Sequence, residues 1–258
     1  MNKHINNKGF TLVEALIIIV IVAGLGFAGW IVYKHNQQTS SANQSCPPGE
    51  TQEYPVLNKP ISEETPYCVK QGSVIADKPV IYLYPTHEEQ VEVKLSYITG
   101  FSKTTPSYNP QMGWRVLAQP NGTLNNLADG KQYPYLYWEG NSAPLHFDLS
   151  KGFVVAGSDT KSFLQEQLIS MGLSQTETAA FINYWLPKME NNPYNLIHFA
   201  GSEYTNFSKL IISPQPTSLL RVFMAYEPLQ EPVKVNPQTF PSFQRVGFTV
   251  VEWGGTEL

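Results

Sequence analysis

An apolar run near the N-terminus constrains this chain more than any other feature. Apart from Glu14, no charged residue occurs from Phe10 to Tyr33. The run exceeds the roughly 20 residues that an α-helix needs to cross the hydrocarbon core of a bilayer. It is also longer than the roughly 7–15-residue apolar region of a cleaved secretory signal, and no small-residue cleavage site follows it. The sequence therefore predicts a single membrane-spanning helix.

Lysines flank this run unevenly. Lys3 and Lys8 precede it, and Lys34 follows it. Because positive charge is retained preferentially on the cytoplasmic side, the excess favours an N-terminus inside the cell and a C-terminus outside. We therefore expect a single-pass protein of the inner or cytoplasmic membrane with an extracytoplasmic head.

Glu14 is the one carboxylate inside the apolar run. A charged side chain within a membrane helix costs about 3 kcal/mol on insertion scales unless it has a partner. Near the membrane interface the cost would be small and no partner would be needed. The residue therefore requires either an interfacial position or an opposite charge.

The residues around Glu14 resemble the class III signal of type IV prepilins and pseudopilins. In the string KGFTLVE, Gly9 directly precedes Phe10, and Glu14 is the fifth residue counted from Phe10. The resemblance covers residues 1–35. It implies that a prepilin peptidase cuts after Gly9, at the end of a short leader, and that Phe10 is then N-methylated. It also implies that Glu14 pairs with the Phe10 amine of a neighbouring subunit, which would compensate the buried carboxylate.

A polar segment follows the predicted pilin-like helix of residues 10–34. Its sequence, HNQQTSSANQS, is rich in Asn, Gln, Ser and Thr and has no apolar period. This composition is typical of a flexible linker, whereas pilins usually continue their first helix as an amphipathic segment. Two roles therefore remain open for the N-terminal segment. It could assemble with other pilin subunits, as in a minor subunit of a type IV pilus or pseudopilus, or it could act only as a membrane anchor.

Two cysteines, Cys46 and Cys68, lie in the predicted stalk of residues 35–76. The segment between them is rich in Pro and Glu and is not expected to build a core. Outside the membrane such cysteines commonly pair, and a disulfide here would stabilise the loop by about 3 kcal/mol. Free thiols or a metal site are the alternatives, although a metal site would require more Cys or His nearby. We expect the disulfide.

The remaining residues, 77–258, are long enough for one domain with a real core. The net charge of −4 and the pI near 5.7 argue against nucleic acid as a partner. The whole chain contains 14 Tyr, 13 Phe, 5 Trp, 20 Pro and 18 Gly, which favours short strands and many turns.

Apolar runs and alternating patterns predict the strands of this head. An Asn-Gly pair at Asn121 and Gly122 predicts a hairpin turn. The predicted strands are Lys78–Pro85, Gln90–Tyr97, Trp114–Ala118, Tyr133–Glu139, Asn195–Ala200, Lys209–Ser213, Leu219–Tyr226 and Gly247–Trp253.

Two helices are predicted between the fourth and fifth of these strands. The first is TKSFLQEQLISM, which Gly172 can end. The second begins with a capping box of Ser174 and Glu177 and is expected to stop at Pro187. Strands on both sides of a helical hairpin predict an α+β domain with mostly antiparallel pairing.

Several strings of the head, taken together, resemble a family of uncharacterised bacterial and fungal proteins. These strings are KPVIYLYP, YLYWEG, YWLPKM, YNLIHF, LRVFMAYEPL and GFTVVEWGG, and the resemblance covers nearly all of residues 78–258. It implies a self-contained domain and carries no known activity.

Candidate catalytic residues in the head are few. No G-x-S-x-G, H-E-x-x-H or G-x-x-x-x-G-K string is present, and no metal or cofactor is expected. His146 and His198 lack a nearby ligand pattern and are interpreted as packed side chains. Arg221 lies between two apolar residues, where a structural ion pair is the simplest interpretation.

Glu139 and Glu252 each lie beside a tryptophan, Trp138 and Trp253, in an otherwise apolar strand. Two such carboxylates could act as acid and base on a sugar, with the aromatic rings stacking on it. Alternatively, each Glu is the outward-pointing residue of a half-exposed strand. These four residues are the candidate surface of the head.

Two functional hypotheses follow. In the first, a prepilin-like surface protein, processed by prepilin peptidase, displays a non-catalytic interaction domain and associates with other pilin subunits. In the second, the pilin-like segment only anchors a glycan-binding protein or hydrolase to the membrane.

Overall fold

The computed structural model of this chain describes residues 50–53, 67–70 and 74–258. The predictions for Gly9, Phe10, Glu14 and Cys46 lie outside these residues. Cys68 belongs to a described strand, but its predicted disulfide needs Cys46, so this prediction also lies outside the described residues. Among the described residues, no helix combines the length and the apolar character that a membrane span requires.

The described residues form fourteen strands and three short α-helices, with all of the helices after the tenth strand. The strands are β1 (Glu50–Glu53), β2 (Tyr67–Lys70), β3 (Asp77–Tyr84), β4 (Glu89–Tyr97), β5 (Phe101–Thr105), β6 (Trp114–Ala118), β7 (Leu124–Asn126), β8 (Gln132–Tyr133), β9 (Leu136–Gly140), β10 (Phe153–Ala156), β11 (Tyr194–Ala200), β12 (Ser208–Ser213), β13 (Ser218–Leu229) and β14 (Thr249–Glu257). The helices are α1 (Thr160–Met171), α2 (Gln175–Met189) and α3 (Ser202–Thr205).

Two large sheets contain most of these strands. The seven-stranded sheet has the order β10-β11-β13-β14-β3-β9-β5, and the five-stranded sheet has the order β12-β4-β6-β7-β8. Neighbouring strands are antiparallel except for β13 and β14, which run parallel. The described residues are mostly β-strand, and antiparallel pairing dominates their sheets as predicted. β1 and β2 form a separate two-stranded sheet.

The helices and the two large sheets stack in three layers. One face of the seven-stranded sheet packs on α1 and α2 through an apolar cluster that includes Leu168 and Trp185. Its other face packs on the five-stranded sheet through a second cluster that includes Trp114. Because side chains alternate along a strand, Val250 and Val251 of β14 enter different clusters. Packing on both faces explains why β14 is buried along nearly its whole length.

Local sequence signals predict several boundaries correctly. β6 spans Trp114–Ala118 as expected, and Gly122, with φ +89°, turns the chain into β7. Gly172 follows α1 in the left-handed conformation, with φ +108°. Ser174 and Glu177 make both bonds of the predicted capping box at the start of α2.

The predicted strand Tyr133–Glu139 is wrong as a single element. β8 ends at Tyr133 in the five-stranded sheet, whereas β9 begins at Leu136 in the seven-stranded sheet. Pro134 lies between them and has no backbone N–H for a strand ladder. The chain therefore changes sheet at the proline.

The predicted end of α2 at Pro187 is also wrong, because the helix continues to Met189. Proline removes the hydrogen bond to the carbonyl four residues earlier, which belongs to Asn183. Asn183 is solvent-exposed, so water can bond its carbonyl. The helix can therefore continue past Pro187 to Met189.

Residues 230–248 connect the parallel strands β13 and β14 and pack on the helical layer. The side chain of Gln238 accepts from Phe199 N at 2.8 Å and donates to Phe199 O at 3.0 Å. The ring of Phe240 meets that of Phe199 edge-on at 5.7 Å. These contacts fasten the connection to β11.

Candidate functional site

The helical layer leaves part of the seven-stranded sheet uncovered. Two packed helices span roughly 20 Å, which is about the width of four strands. A cleft therefore lies at the flank of α2, beside β3 and the start of β9. This tyrosine cleft has a volume of about 260 Å³ and is lined by Lys78, Tyr82, Tyr135, Ala180, Asn183, Tyr184 and Trp253.

Alternation along β3 brings Tyr82 and Tyr84 to the helix-facing side of the sheet. Their rings are stacked with centroids 6.1 Å apart, and Tyr135 meets Tyr82 edge-on at 5.6 Å. Burial raises the pKa of Tyr82, and the nearby Tyr135 and Glu177 raise it further. The cleft therefore offers ring faces together with a hydroxyl that stays neutral and can donate a hydrogen bond.

Lys78 extends from the same face of β3 toward these rings. Its Nζ lies 4.7 Å from the ring centroid of Tyr137, 5.4 Å from that of Tyr184 and 5.8 Å from that of Tyr135. Cations are attracted to aromatic faces at such distances. The ammonium group is therefore held at the cleft by three tyrosines.

A polar cluster links β3 to α2 at the edge of the cleft. The Tyr184 hydroxyl donates to Asp77 Oδ1 at 2.6 Å, and Lys188 Nζ lies 2.7 Å from Asp77 Oδ2. Tyr184 and Lys188 are four residues apart on α2 and share one helix face. Burial raises the pKa of Tyr184, and its hydrogen bond to Asp77 raises it further. Asp77 is thus already engaged by a hydroxyl and an ammonium group.

Glu139 and Glu252 lie on opposite faces of the seven-stranded sheet. Glu139 is on the helix-facing side, where its carboxylate accepts a hydrogen bond from the Tyr137 hydroxyl. Glu252 is opposite Ile81 in the register of β14 and β3, and Ile81 belongs to the cluster between the sheets. The two carboxylates therefore cannot act as acid and base on one sugar.

The expectation that Trp138, Glu252 and Trp253 belong to the surface of the head is also wrong. Their exposed fractions are 0%, 1% and 1%, respectively. Trp138 lies in β9, and Glu252 and Trp253 lie in β14, and both strands are buried along most of their length. Glu139 alone among the four candidates is partly exposed.

Glu252 belongs to a buried ion pair with Arg221, as the sequence suggested for Arg221. Arg221 Nε lies 2.5 Å from Glu252 Oε2, and Trp138 Nε1 donates to the other carboxylate oxygen at 3.3 Å. Arg221 also donates to the carbonyl and hydroxyl oxygens of Ser208. Burial lowers the pKa of Arg221, but the charges and hydrogen bonds of Glu252 and Tyr204 together raise it by more. Because Ser208 belongs to β12, these bonds of Arg221 link the seven-stranded sheet to the five-stranded sheet.

His198 is packed in the interior, as expected, and its exposed fraction is 2%. Its Nδ1 lies 2.8 Å from the carbonyl oxygen of Lys151, and its Nε2 lies 2.8 Å from Glu203 Oε2. His146 is partly buried elsewhere in the chain. Within the described residues, no group of three His, Cys, Asp or Glu side chains could hold a metal ion.

Sequence reasoning missed the tyrosine cleft, although its residues lie in strings that had been singled out. Lys78 belongs to KPVIYLYP, Tyr135 to YLYWEG, Tyr184 to YWLPKM and Trp253 to GFTVVEWGG. The tyrosines at every second position of YPYLYWE were a usable signal, because such spacing puts them on one face of an extended chain. That spacing does not indicate that α2 forms the other side of the cleft.

No protein-family model, curated protein or solved structure matches this chain.

Proposed function

We propose that this chain is a prepilin-like surface protein whose head binds carbohydrate in the tyrosine cleft. The observation that carries the proposal is the cleft itself, an uncovered part of the sheet with Tyr135, Tyr137 and Tyr184 around one lysine ammonium group. The prepilin-like segment supplies the location, outside the membrane, where envelope and host polysaccharides are accessible.

The chemistry of the cleft suits a sugar ring. One face of a pyranose presents C–H groups that pack flat on an aromatic ring, while hydroxyls at its edge need hydrogen-bond partners. Tyrosine supplies both an apolar face and a polar tip. A volume of about 260 Å³ lies just below the usual range for small-molecule sites. This size suits one sugar unit of a longer chain.

The positions of the carboxylates favour binding over hydrolysis. Glycosidases place two carboxyl groups on either side of the scissile bond, within roughly 10 Å of each other and facing the same cleft. Glu139 borders the tyrosines, whereas Glu252 is occupied by Arg221 between the two sheets. Asp77, the other carboxylate near the cleft, is engaged by Tyr184 and Lys188.

The proposed role of the N-terminal segment rests on the sequence. Prepilin peptidase would cut after Gly9 and Phe10 would be methylated, which leaves a membrane helix that carries the head outside the cell. Glu14 would pair with the Phe10 amine of a neighbour where the chain enters a filament. A minor subunit of a pilus or pseudopilus would then present the cleft at a distance from the membrane.

Binding of the full-length protein in detergent micelles to an array of neutral and acidic oligosaccharides tests the proposal. We expect wild-type binding and a loss of roughly tenfold or more in Tyr135→Ala, which removes one ring of the cleft. Tyr133→Ala is the matched control, because Tyr133 lies in the five-stranded sheet. Circular dichroism of each variant checks folding. Absence of binding to every sugar, or equal losses in the two variants, would overturn the proposal.

A further inference from the structure

The backbone at Lys78 is held in an unusual conformation. Lys78 has φ +56°, a value that residues with a side chain rarely adopt, and it precedes a proline, which restricts it further. Such a conformation is energetically unfavourable and persists only where the surrounding structure holds it. The position of the Lys78 side chain is therefore determined by the fold.

A bulge in the neighbouring strand lies directly opposite this residue. The register of β14 and β3 shifts between Trp253 and Gly255, and such bulges commonly redirect a side chain near a functional site. A Cβ on Gly254 would lie 2.9 Å from Pro79 Cα, so only glycine permits this close approach. The Gly254 backbone thus packs on the proline that follows Lys78.

The charge of Lys78 has no anionic complement in the described part of the head. No described carboxylate lies within 4.0 Å of its Nζ, while Asp77 is paired with Lys188. Glu139 accepts a hydrogen bond from the Tyr137 hydroxyl, and the Lys78 ammonium group faces aromatic rings. A partly buried charge is expensive unless an opposite charge meets it. The missing partner is thus expected to come from outside the head.

We infer that the tyrosine cleft takes an acidic carbohydrate, with Lys78 as the residue that selects its anionic group. The inference rests on the proposed carbohydrate binding and adds the ligand class. The sugar ring packs on Tyr135 and Tyr184, and the anionic group approaches the Lys78 ammonium group held between those rings. Carboxylate and sulfate groups share this chemistry.

Comparing uronic acid oligosaccharides with their methyl esters distinguishes binding of the negative charge from binding of the sugar ring. We use galacturonate and glucuronate oligomers, because esterification removes the charge and keeps the ring. The full-length protein in micelles should bind the acids roughly 10- to 100-fold more tightly than the esters, as expected for a charge-assisted contact. The ratio should fall as salt is raised. Sulfated and unsulfated forms of one neutral oligosaccharide distinguish sulfate from carboxylate as the preferred group.

Variants of two lysines locate the selectivity. Lys78→Gln should bring the acid-to-ester ratio close to one, because it removes the positive charge, whereas Lys78→Arg keeps the charge and should retain most of the ratio. Both variants keep an unbranched side chain at the strained position. Lys209→Gln is the matched control, because Lys209 is exposed on β12 of the five-stranded sheet, away from the cleft, and it should leave the ratio unchanged.

Each outcome decides between the two proposals. Equal binding of acids and esters that still depends on Tyr135 would overturn the acidic class and leave carbohydrate binding intact. An acid preference that survives in Lys78→Gln would overturn the role of Lys78. Absence of binding to every sugar would overturn both proposals.

Discussion

At the scale of single residues, His198 is a buried group whose surroundings require a positive charge. The carbonyl of Lys151 and the carboxylate of Glu203 can only accept hydrogen bonds, so both ring nitrogens must donate. Burial lowers the pKa of His198, but the hydrogen bond and charge of Glu203, the Lys151 carbonyl and the Asp148 charge together raise it by more. The folded state therefore holds the protonated ring.

The raised pKa predicts a pH-dependent contribution to stability. Because the folded-state pKa exceeds that of the unfolded chain, the contribution is fully present below the ordinary pKa of about 6.5. It is lost as the pH rises through the higher folded-state pKa. The free energy of unfolding, measured with urea at intervals from about pH 5 to pH 9, should show this decline relative to His198→Gln.

Glu203→Gln is the matched control for this effect. Without the carboxylate, burial is the larger influence on the pKa of His198, which should then fall below its ordinary value. Stability should accordingly decrease as the pH falls, which reverses the wild-type trend. The same trend in wild type and Glu203→Gln would contradict the assignment.

At the scale of elements, Glu177 joins the start of α2 to the connection between β13 and β14. Its carboxylate accepts from Ser174 N at 2.7 Å and pairs with Arg245, which also donates to the carbonyl of Gly172. The residue is buried, with an exposed fraction of 1%. The same side chain therefore caps a helix and holds the connection.

Substitutions separate these two contributions. Ser174→Ala removes the side-chain cap on Glu177 N and should cost about 1 kcal/mol in the free energy of unfolding. Glu177→Ala removes its part of the cap and the link to Arg245, and should cost about 2–3 kcal/mol. Urea unfolding of both variants measures the difference. Equal costs would show that the link to Arg245 adds no stability.

At the scale of the whole molecule, the head should fold without the N-terminal part of the chain. Val74 and Ala143 exchange two backbone hydrogen bonds of 2.9 Å, and Gly140 N donates to Ala76 O. Val74 and Ala76 belong to the core between the sheets. A shortened chain that begins at Val74 retains these contacts and should unfold in one cooperative transition.

A second shortened chain tests the predicted boundary at Asp77. It lacks the three backbone bonds and the buried Val74 side chain, and should be less stable by about 3 kcal/mol. Chemical denaturation of the two chains gives the comparison. Equal stability would mean that residues 74–76 are dispensable for the core.

Processing of the N-terminus is the remaining prediction at this scale. In cells that contain prepilin peptidase, the mature protein should begin at an N-methylated Phe10, as the string KGFTLVE predicts. Mass spectrometry of the N-terminal peptide measures this directly. Gly9→Ala should reduce cleavage, whereas Glu14→Ala should leave cleavage unchanged, because an uncharged helix inserts at least as easily. An intact Met1 in the wild-type protein would contradict the prediction.

Short-range patterns in the sequence were sufficient to predict most elements of the head. Alternation predicts β6, and the capping box of Ser174 and Glu177 predicts the start of α2, because these signals act within one element. The change of sheet at Pro134 was missed because it depends on which strands pair. The sequence thus determined the type of most elements and the apolar residues of their cores.

The tertiary structure alone decided which side chains meet. Glu139 and Glu252 look equivalent beside their tryptophans, yet strand register directs them to opposite faces of one sheet. Lys78 reads as an ordinary residue at the start of a strand until a bulge in β14 and the flank of α2 surround it with tyrosines. Contacts between residues far apart in sequence depend on strand order and layer packing, and no local pattern encodes either.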